Sequence, residues 1–205
     1  MLKMLIVICT TSGLLIECPP VLGQIYEESP MRYSRRRANG AITDWEYAIQ
    51  RGNVEFNATT HEEARDAVLE RLGVDPASQI LVYSQTSFQN SHISAETPRA
   101  LYFNEDHHIG WVKGGDVELA TIDPKIGMAF YQIGLPKPGD GALRHTLFNR
   151  NPDCLFCHAG TETTPYPGLV AHSVFATRTG AQILRDQSYN VDHRTPIQPR
   201  ASAVS

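Results

Sequence analysis

The feature of this 205-residue sequence that most constrains its fold is a series of short β-rich runs in the middle of the chain. Each run is bounded by turn residues, and the runs span residues 80–83, 100–103, 109–112, 117–122 and 128–133. Residues 113–116, with two central glycines, are typical of a tight hairpin turn between the third and fourth runs. Because consecutive strands joined by short turns pair as neighbours, the runs predict a central antiparallel β meander. Residues 169–176 are a last candidate strand.

Two short helices are predicted before the meander. Thr60 followed by Glu63 has the spacing of a capping box, and the apolar residues after it continue to a stop at Gly73. Thr43 and Glu46 repeat that spacing and predict a second capping box, with the helix closing at residue 52. We therefore expect an α+β fold, a central antiparallel β meander with short flanking helices.

The N-terminus has the pattern of a secretory signal peptide. Lys3 supplies one positive charge, and residues 4–16 are apolar apart from small polar residues. Two prolines follow, and modest or small residues precede a possible cut before Gln24. We expect residues 1–23 to be cleaved, which predicts a periplasmic or otherwise exported protein with no integral membrane span after signal cleavage. The alternative is a retained N-terminal anchor helix.

The remainder divides into an arm, one domain and a tail. Residues 24–40 are polar and predict a basic flexible arm, or a docking arm for an acidic partner or an anionic membrane surface. The arginines of the arm are Arg32, Arg35, Arg36 and Arg37. Residues 41–196 are expected to form the single domain, and residues 197–205 a disordered tail.

Composition and charge exclude several classes of protein. Hydrophobic residues make up 41% and charged residues 20%, which is unlike a disordered chain, a collagen repeat or a coiled coil. The formal net charge of −4 leaves no basic field for a nucleic-acid backbone, so we predict no nucleic-acid partner. The sequence contains no nucleophile elbow and no phosphate-cradling loop.

The cysteines carry the strongest chemical signal. Signal cleavage would remove two of the four, leaving Cys154 and Cys157 in an oxidising compartment, with His158 directly after them. C-x-x-C-H is the attachment signature of a c-type haem. Thiols three residues apart lie about one helical turn apart and match the vinyl groups on adjacent pyrroles, and the histidine supplies the proximal nitrogen to iron. We predict one covalently attached haem c per chain, held by these three residues.

Three alternatives to haem attachment apply to the same motif. A zinc site needs two more ligands, and His172 and His193 are too far apart in sequence to form its second half. A thioredoxin-like dithiol belongs at a strand-to-helix junction early in a βαβ unit, whereas this motif follows the turn-rich residues 136–152 late in the chain. A chance occurrence is the third alternative.

The haem motif, together with residues 97–104, 110–114 and 192–196, resembles a family of uncharacterised exported bacterial cytochrome c-like proteins. The resemblance covers roughly residues 79–196, and it implies haem binding and electron transfer without a known substrate. The ordinary small cytochrome c is nearly all helix and opens with its C-x-x-C-H. The β-rich runs and the late motif therefore predict a scaffold other than the usual all-α cytochrome c fold.

The second axial position of the iron separates an electron carrier from an enzyme. No methionine follows the motif and Met128 is expected in a strand core, so we predict that His193 or His172 is the sixth ligand, with His193 preferred. Upstream candidates are His92, His107, His108 and His145.

The predicted function is an exported monohaem c-type cytochrome that exchanges single electrons with redox partner proteins. The alternatives are a haem peroxidase or small-molecule oxidoreductase with an open sixth position, and a haem-bearing module of a larger redox assembly.

Overall fold

The main element of the computed structural model is a six-stranded antiparallel sheet in which every strand pairs with its neighbour in sequence. The structure describes residues 22–135, 147–160, 163–183 and 188–190. The strands are β1 (Ile80–Val82), β2 (Arg99–Phe103), β3 (His107–Trp111), β4 (Glu118–Asp123), β5 (Gly127–Ile133) and β6 (Phe148–Arg150). This confirms the predicted α+β fold with an antiparallel meander. The sixth strand was not predicted, because it lies in the turn-rich stretch before the haem motif.

Three α-helices, four short 3₁₀ helices and a small second sheet complete the described elements. The helices are α1 (Ala41–Gln50), α2 (His61–Arg71) and α3 (Leu155–His158), and the second sheet pairs β7 (His172–Val174) with β8 (Ser188–Asn190). Among the described residues, no helix has the length and apolar character needed to cross a membrane. The first 21 residues of the predicted signal peptide and the predicted tail lie outside the described residues.

The two predicted capping boxes have opposite outcomes. The Thr60 hydroxyl accepts from the Glu63 amide at 3.2 Å while the Glu63 carboxylate accepts from the Thr60 amide, so this box is confirmed at the start of α2. The box predicted at Thr43 is wrong, because α1 begins earlier, with Gly40 as its N-cap. Thr43 instead donates to the Ala38 carbonyl at 3.2 Å. The backbone of Phe148 on β6 lies beside the Glu46 carboxylate and lowers its pKa, against the larger opposite effect of burial.

Helices α1 and α2 cover one face of the sheet, which we call the helix face. Ile109, Leu119 and Tyr131 lie in register across three strands on this face, and all three are buried. The α1 residue Trp45 packs against Phe148 on the same face, with ring centroids 5.0 Å apart. Burial of these large apolar side chains is the main source of stability for such a fold.

The other face, the motif face, carries His108, Ala120 and Phe130 in register. Phe130 is only 4% exposed, so the sheet around β5 is covered on both sides. The chain that follows β6 supplies that second cover, since the ring of His158 packs on the ring of Phe130. The C-x-x-C-H motif therefore lies on the sheet face opposite α1 and α2.

Residues 24–40 are not simply the solvated arm that their polar composition predicts. Tyr33 is 0% exposed, and its hydroxyl accepts from the Phe130 amide at 3.1 Å. Ala38 is buried as well, while Arg32, Arg35 and Arg37 are exposed. Tyr33 therefore joins this segment to the domain. Against the sheet its ring is buried and its hydroxyl finds a hydrogen-bond partner, as a buried tyrosine requires.

Candidate functional site

The predicted haem motif lies on a continuous helical run. A 3₁₀ turn, Pro152–Cys154, leads directly into α3, so Cys154 and Cys157 lie three residues apart on one helical path. The Asn151 side chain accepts from the Asp153 amide at 2.9 Å and starts the turn. The Asn151 amide also donates to the Phe130 carbonyl, which attaches the start of the motif to β5. Both thiols are free.

The helical run has one buried side and one exposed side. Leu155 and Ala159 are 2% and 3% exposed and pack into the core, as expected for residues four apart on a helix. Phe156 is 81% exposed and Cys157 is exposed as well. Cys154 lies between these extremes, half-buried against the core. The packing of Leu155 and Ala159 thus orients the motif so that a group attached to Cys157 projects outward.

His158 is oriented from two sides. Its Nδ1 donates to the Gly168 carbonyl at 3.0 Å, and the Gly168 amide donates back to the His158 carbonyl at 2.8 Å. Its ring lies on Phe130, with centroids 4.6 Å apart. A neutral histidine that donates from Nδ1 carries its lone pair on Nε2, the nitrogen that can coordinate a metal. This arrangement fits the role predicted for His158.

The loop that supplies the Gly168 carbonyl is itself fixed to β5. The Met128 amide donates to the Pro167 carbonyl at 3.1 Å. Gly127, at φ +78°, makes this approach possible, because a Cβ there would lie 2.7 Å from the Pro167 oxygen. Strand β5 therefore positions His158 twice, through the Phe130 ring and through the Pro167–Gly168 backbone.

We predict that Gly127→Ala destabilises the protein by roughly 1–2 kcal/mol more than Gly52→Ala. Both glycines have positive φ, so both variants carry the same backbone strain, but a Cβ at Gly52 meets nothing within 4 Å. The additional loss of stability in Gly127→Ala comes from displacing the Pro167 backbone. Urea unfolding of the two variants measures the difference. Equal losses would contradict the proposed role of this close approach.

The two thiols differ in their electrostatic setting. Burial raises the pKa of the Cys154 thiol to about 11, and the negative charges of Glu118 and Asp153 act in the same direction, partly offset by Arg99. A reactive redox dithiol depends on a lowered thiol pKa. The setting of Cys154 is thus the opposite of the one that a redox dithiol requires.

In protein without attached haem, we expect iodoacetamide at pH 8 to alkylate Cys157 before Cys154. A thiol pKa of about 11 instead of the ordinary 9.0 lowers the thiolate fraction of Cys154 at that pH about 100-fold, and only the thiolate reacts. Tandem mass spectrometry over time gives the order, because the tryptic peptide of residues 151–178 carries both cysteines and its fragments show which one is modified. The faster alkylation of Cys157 relative to Cys154 should become less marked as the pH rises toward 11. Equal alkylation rates of the two thiols at pH 8 would contradict the prediction.

The candidates for the sixth ligand are only partly placed. His172 begins β7, where its backbone pairs with Asn190, and His193 lies outside the described residues. Met128 is 7% exposed within the core of β5, so the prediction that it is a core residue is confirmed. The structure thus brings Cys154, Cys157 and His158 together and leaves the choice between His172 and His193 as a prediction.

Sequence reasoning missed the residues that support the motif. Phe130, Gly168 and Gly127 all act on His158 or on its loop, and none carries a recognisable motif. Within the described ranges, no group of three or more His, Cys, Asp or Glu side chains is placed to hold a metal ion. The zinc alternative would therefore need ligands from elsewhere in the chain.

Comparison with known proteins returns no match: no protein family, no curated protein and no solved structure is similar to this chain. The family resemblance of the haem motif and its flanking segments therefore stays a prediction, and any function has to be inferred from the residues of the chain itself.

Proposed function

We propose that this protein is an exported c-type cytochrome with one covalently attached haem, which exchanges single electrons with redox partner proteins. The observation that carries the proposal is the orientation of His158 by the Gly168 carbonyl, directly after two free thiols spaced three residues apart. Proximal haem histidines need this kind of support, because a hydrogen bond at Nδ1 sets the tautomer and strengthens Nε2 as a ligand.

Each residue of the motif has a separate role in this proposal. The Cys154 and Cys157 sulfurs would each add across one vinyl group, with the thiol proton passing to the other vinyl carbon, so attachment involves no net oxidation. His158 would supply the proximal nitrogen. When bound, the haem provides an iron centre that cycles between the ferric and ferrous states. Leu155, Ala159 and the ring of Phe130 hold the segment in place on the sheet.

Expression of the full chain in a host with a haem-attachment system tests the proposal. We expect the purified protein to keep its haem on a denaturing gel and to begin at Gln24 when its N-terminus is sequenced. A colourless band would contradict the attachment, and an uncleaved N-terminus would contradict the predicted signal peptide. A high-spin ferric spectrum with a rapid peroxide reaction would favour a peroxidase over an electron carrier.

We predict that the sixth ligand is a histidine and not a methionine. The Met128 side chain is packed in the core, so the long-wavelength charge-transfer band of methionine-ligated ferric haem should be absent. Two imidazoles stabilise ferric iron, so the midpoint potential should be low for a cytochrome c. Of His193→Ala and His172→Ala, one should convert the iron to high-spin, and His193 is the preferred ligand. The charge-transfer band, or a low-spin spectrum in both variants, would contradict this.

A further inference from the structure

A second site of chemical interest is a cavity of about 470 Å³ where residues 24–40, α1 and the end of the main sheet meet. Arg35, Arg36 and Arg37 line it from the first segment, Glu46 from α1, and Arg150 from β6. Its volume lies in the range of sites that hold small molecules and is far too small for a folded macromolecule. The predicted chemistry of the haem motif uses none of these side chains.

The charge of this cavity is strongly one-sided. Four arginines line it against one glutamate, in a chain whose formal net charge is −4. The Arg36 guanidinium donates to the Pro30 carbonyl at 2.7 Å and keeps its charge. Across the described part of the chain, none of the four arginines forms an ion pair with a carboxylate. Crowding of like charges is unfavourable unless a counter-ion is bound. The cavity wall thus carries an excess of positive charge, which Glu46, the one carboxylate that lines it, offsets only in part.

Arg150 is held rigidly at this wall. Its Nη1 donates to the Arg36 carbonyl at 2.6 Å, and its guanidinium lies over the Tyr33 ring, 4.2 Å from the centroid. Its Nη2 is buried and has no hydrogen-bond partner among the described residues. A fixed guanidinium with an unused donor matches the paired oxygens of a phosphate or a carboxylate.

The single carboxylate at the wall opposes anion binding less than an ordinary glutamate would. Burial raises the pKa of Glu46, and this effect exceeds the opposing contributions of the Phe148 amide and Arg37. The proton that Glu46 takes up more readily can also be donated to a ligand oxygen.

We infer that this cavity binds a diffusible small molecule that carries two or more oxyanion groups, such as an organic diphosphate or a tricarboxylate. Several arginines around one cavity match a multivalent anion better than a singly charged one. A volume of about 470 Å³ has room for a small molecule and none for a membrane surface or a folded acidic protein. The inference is independent of the haem proposal, because it uses neither the thiols nor His158.

Calorimetric titration of the purified full chain, with pyrophosphate and separately with citrate at constant ionic strength, tests the inference. We expect saturable binding of at least one of the two, with a concentration-dependent rise in melting temperature. The double variant Arg35→Gln/Arg37→Gln should weaken binding about tenfold or more, since each lost arginine removes charge-assisted hydrogen bonds. Exposed Arg35 and Arg37 are chosen because removing Arg150 would also disturb the packing of Tyr33.

Arg51→Gln is the matched control. Arg51 stacks on the same Tyr47 ring that Arg37 approaches, yet it does not line the cavity, so its loss should leave the affinity unchanged. Three results would each overturn the inference. The first is binding heats no larger than those of sodium chloride, and the second is an equal loss of affinity in Arg51→Gln. The third is binding to phosphatidylglycerol vesicles and to neither small anion. Binding seen only in the haem-free Cys154→Ala/Cys157→Ala variant would also overturn the inference, because it would mean that the propionates of the attached haem occupy the cavity. Binding by both forms supports the inference whether or not haem is attached.

Discussion

Replacing both Cys154 and Cys157 with alanine is expected to abolish covalent haem attachment completely, so that the protein band no longer stains for haem on a denaturing gel. The two sulfurs are the only groups of the motif that can form thioethers, and both are free in the structure. Each single variant should retain at most one thioether. The absorption spectrum of the pyridine complex of its haem detects this, because one vinyl group then stays conjugated with the porphyrin ring.

Phe156→Ala is the matched control for this experiment. Phe156 lies between the two cysteines but is 81% exposed, so its removal changes the motif without removing a packed side chain. We expect normal haem content in this variant. A stained band from the double cysteine variant, or the same loss from Phe156→Ala, would contradict the assignment of the thioethers.

Tyr33→Ala is expected to lower the free energy of unfolding by about 3–5 kcal/mol, a large share of the total for a domain of this size. The side chain is 0% exposed, its hydroxyl accepts from the Phe130 amide, and its ring lies beneath Arg150. The variant removes all three contacts. Chemical denaturation followed by tryptophan fluorescence measures the loss.

Tyr47→Ala provides the comparison, since Tyr47 is 42% exposed and its loss should cost about 1 kcal/mol or less. Tyr33→Phe should have an intermediate effect, because it keeps the ring and removes only the hydroxyl. A Tyr33→Ala variant as stable as the parent protein would support the solvated arm that the polar composition of residues 24–40 predicts.

The structure also shows why one local pattern can have two outcomes. Thr60 and Thr43 are each followed by a glutamate three residues later, and only Thr60 forms a capping box. Glu63 is at the surface and accepts from the nearby Thr59 and Thr60 groups. Glu46 instead lies beside the backbone of Phe148 on β6, so surroundings distant in sequence replace the local partner.

The sequence alone determined the features that depend on neighbouring residues. Strands β1 to β5 follow from apolar runs between turn residues, and the start of α2 follows from the Thr60 capping box. The spacing of Cys154, Cys157 and His158 is itself the chemical signal, because one helical turn brings the two thiols to one side of the chain. These signals can be read without knowing what packs against them.

Only the tertiary structure decided the features that join distant parts of the chain. Tyr33 reaches an amide 97 residues away, and the imidazole of His158 is oriented by a carbonyl 10 residues later and by a ring on β5. Strand β6 is three residues long and carries no periodic pattern of its own, so its pairing with β5 defines it. Such contacts depend on which surfaces meet after folding, and a local pattern of residues carries no record of that.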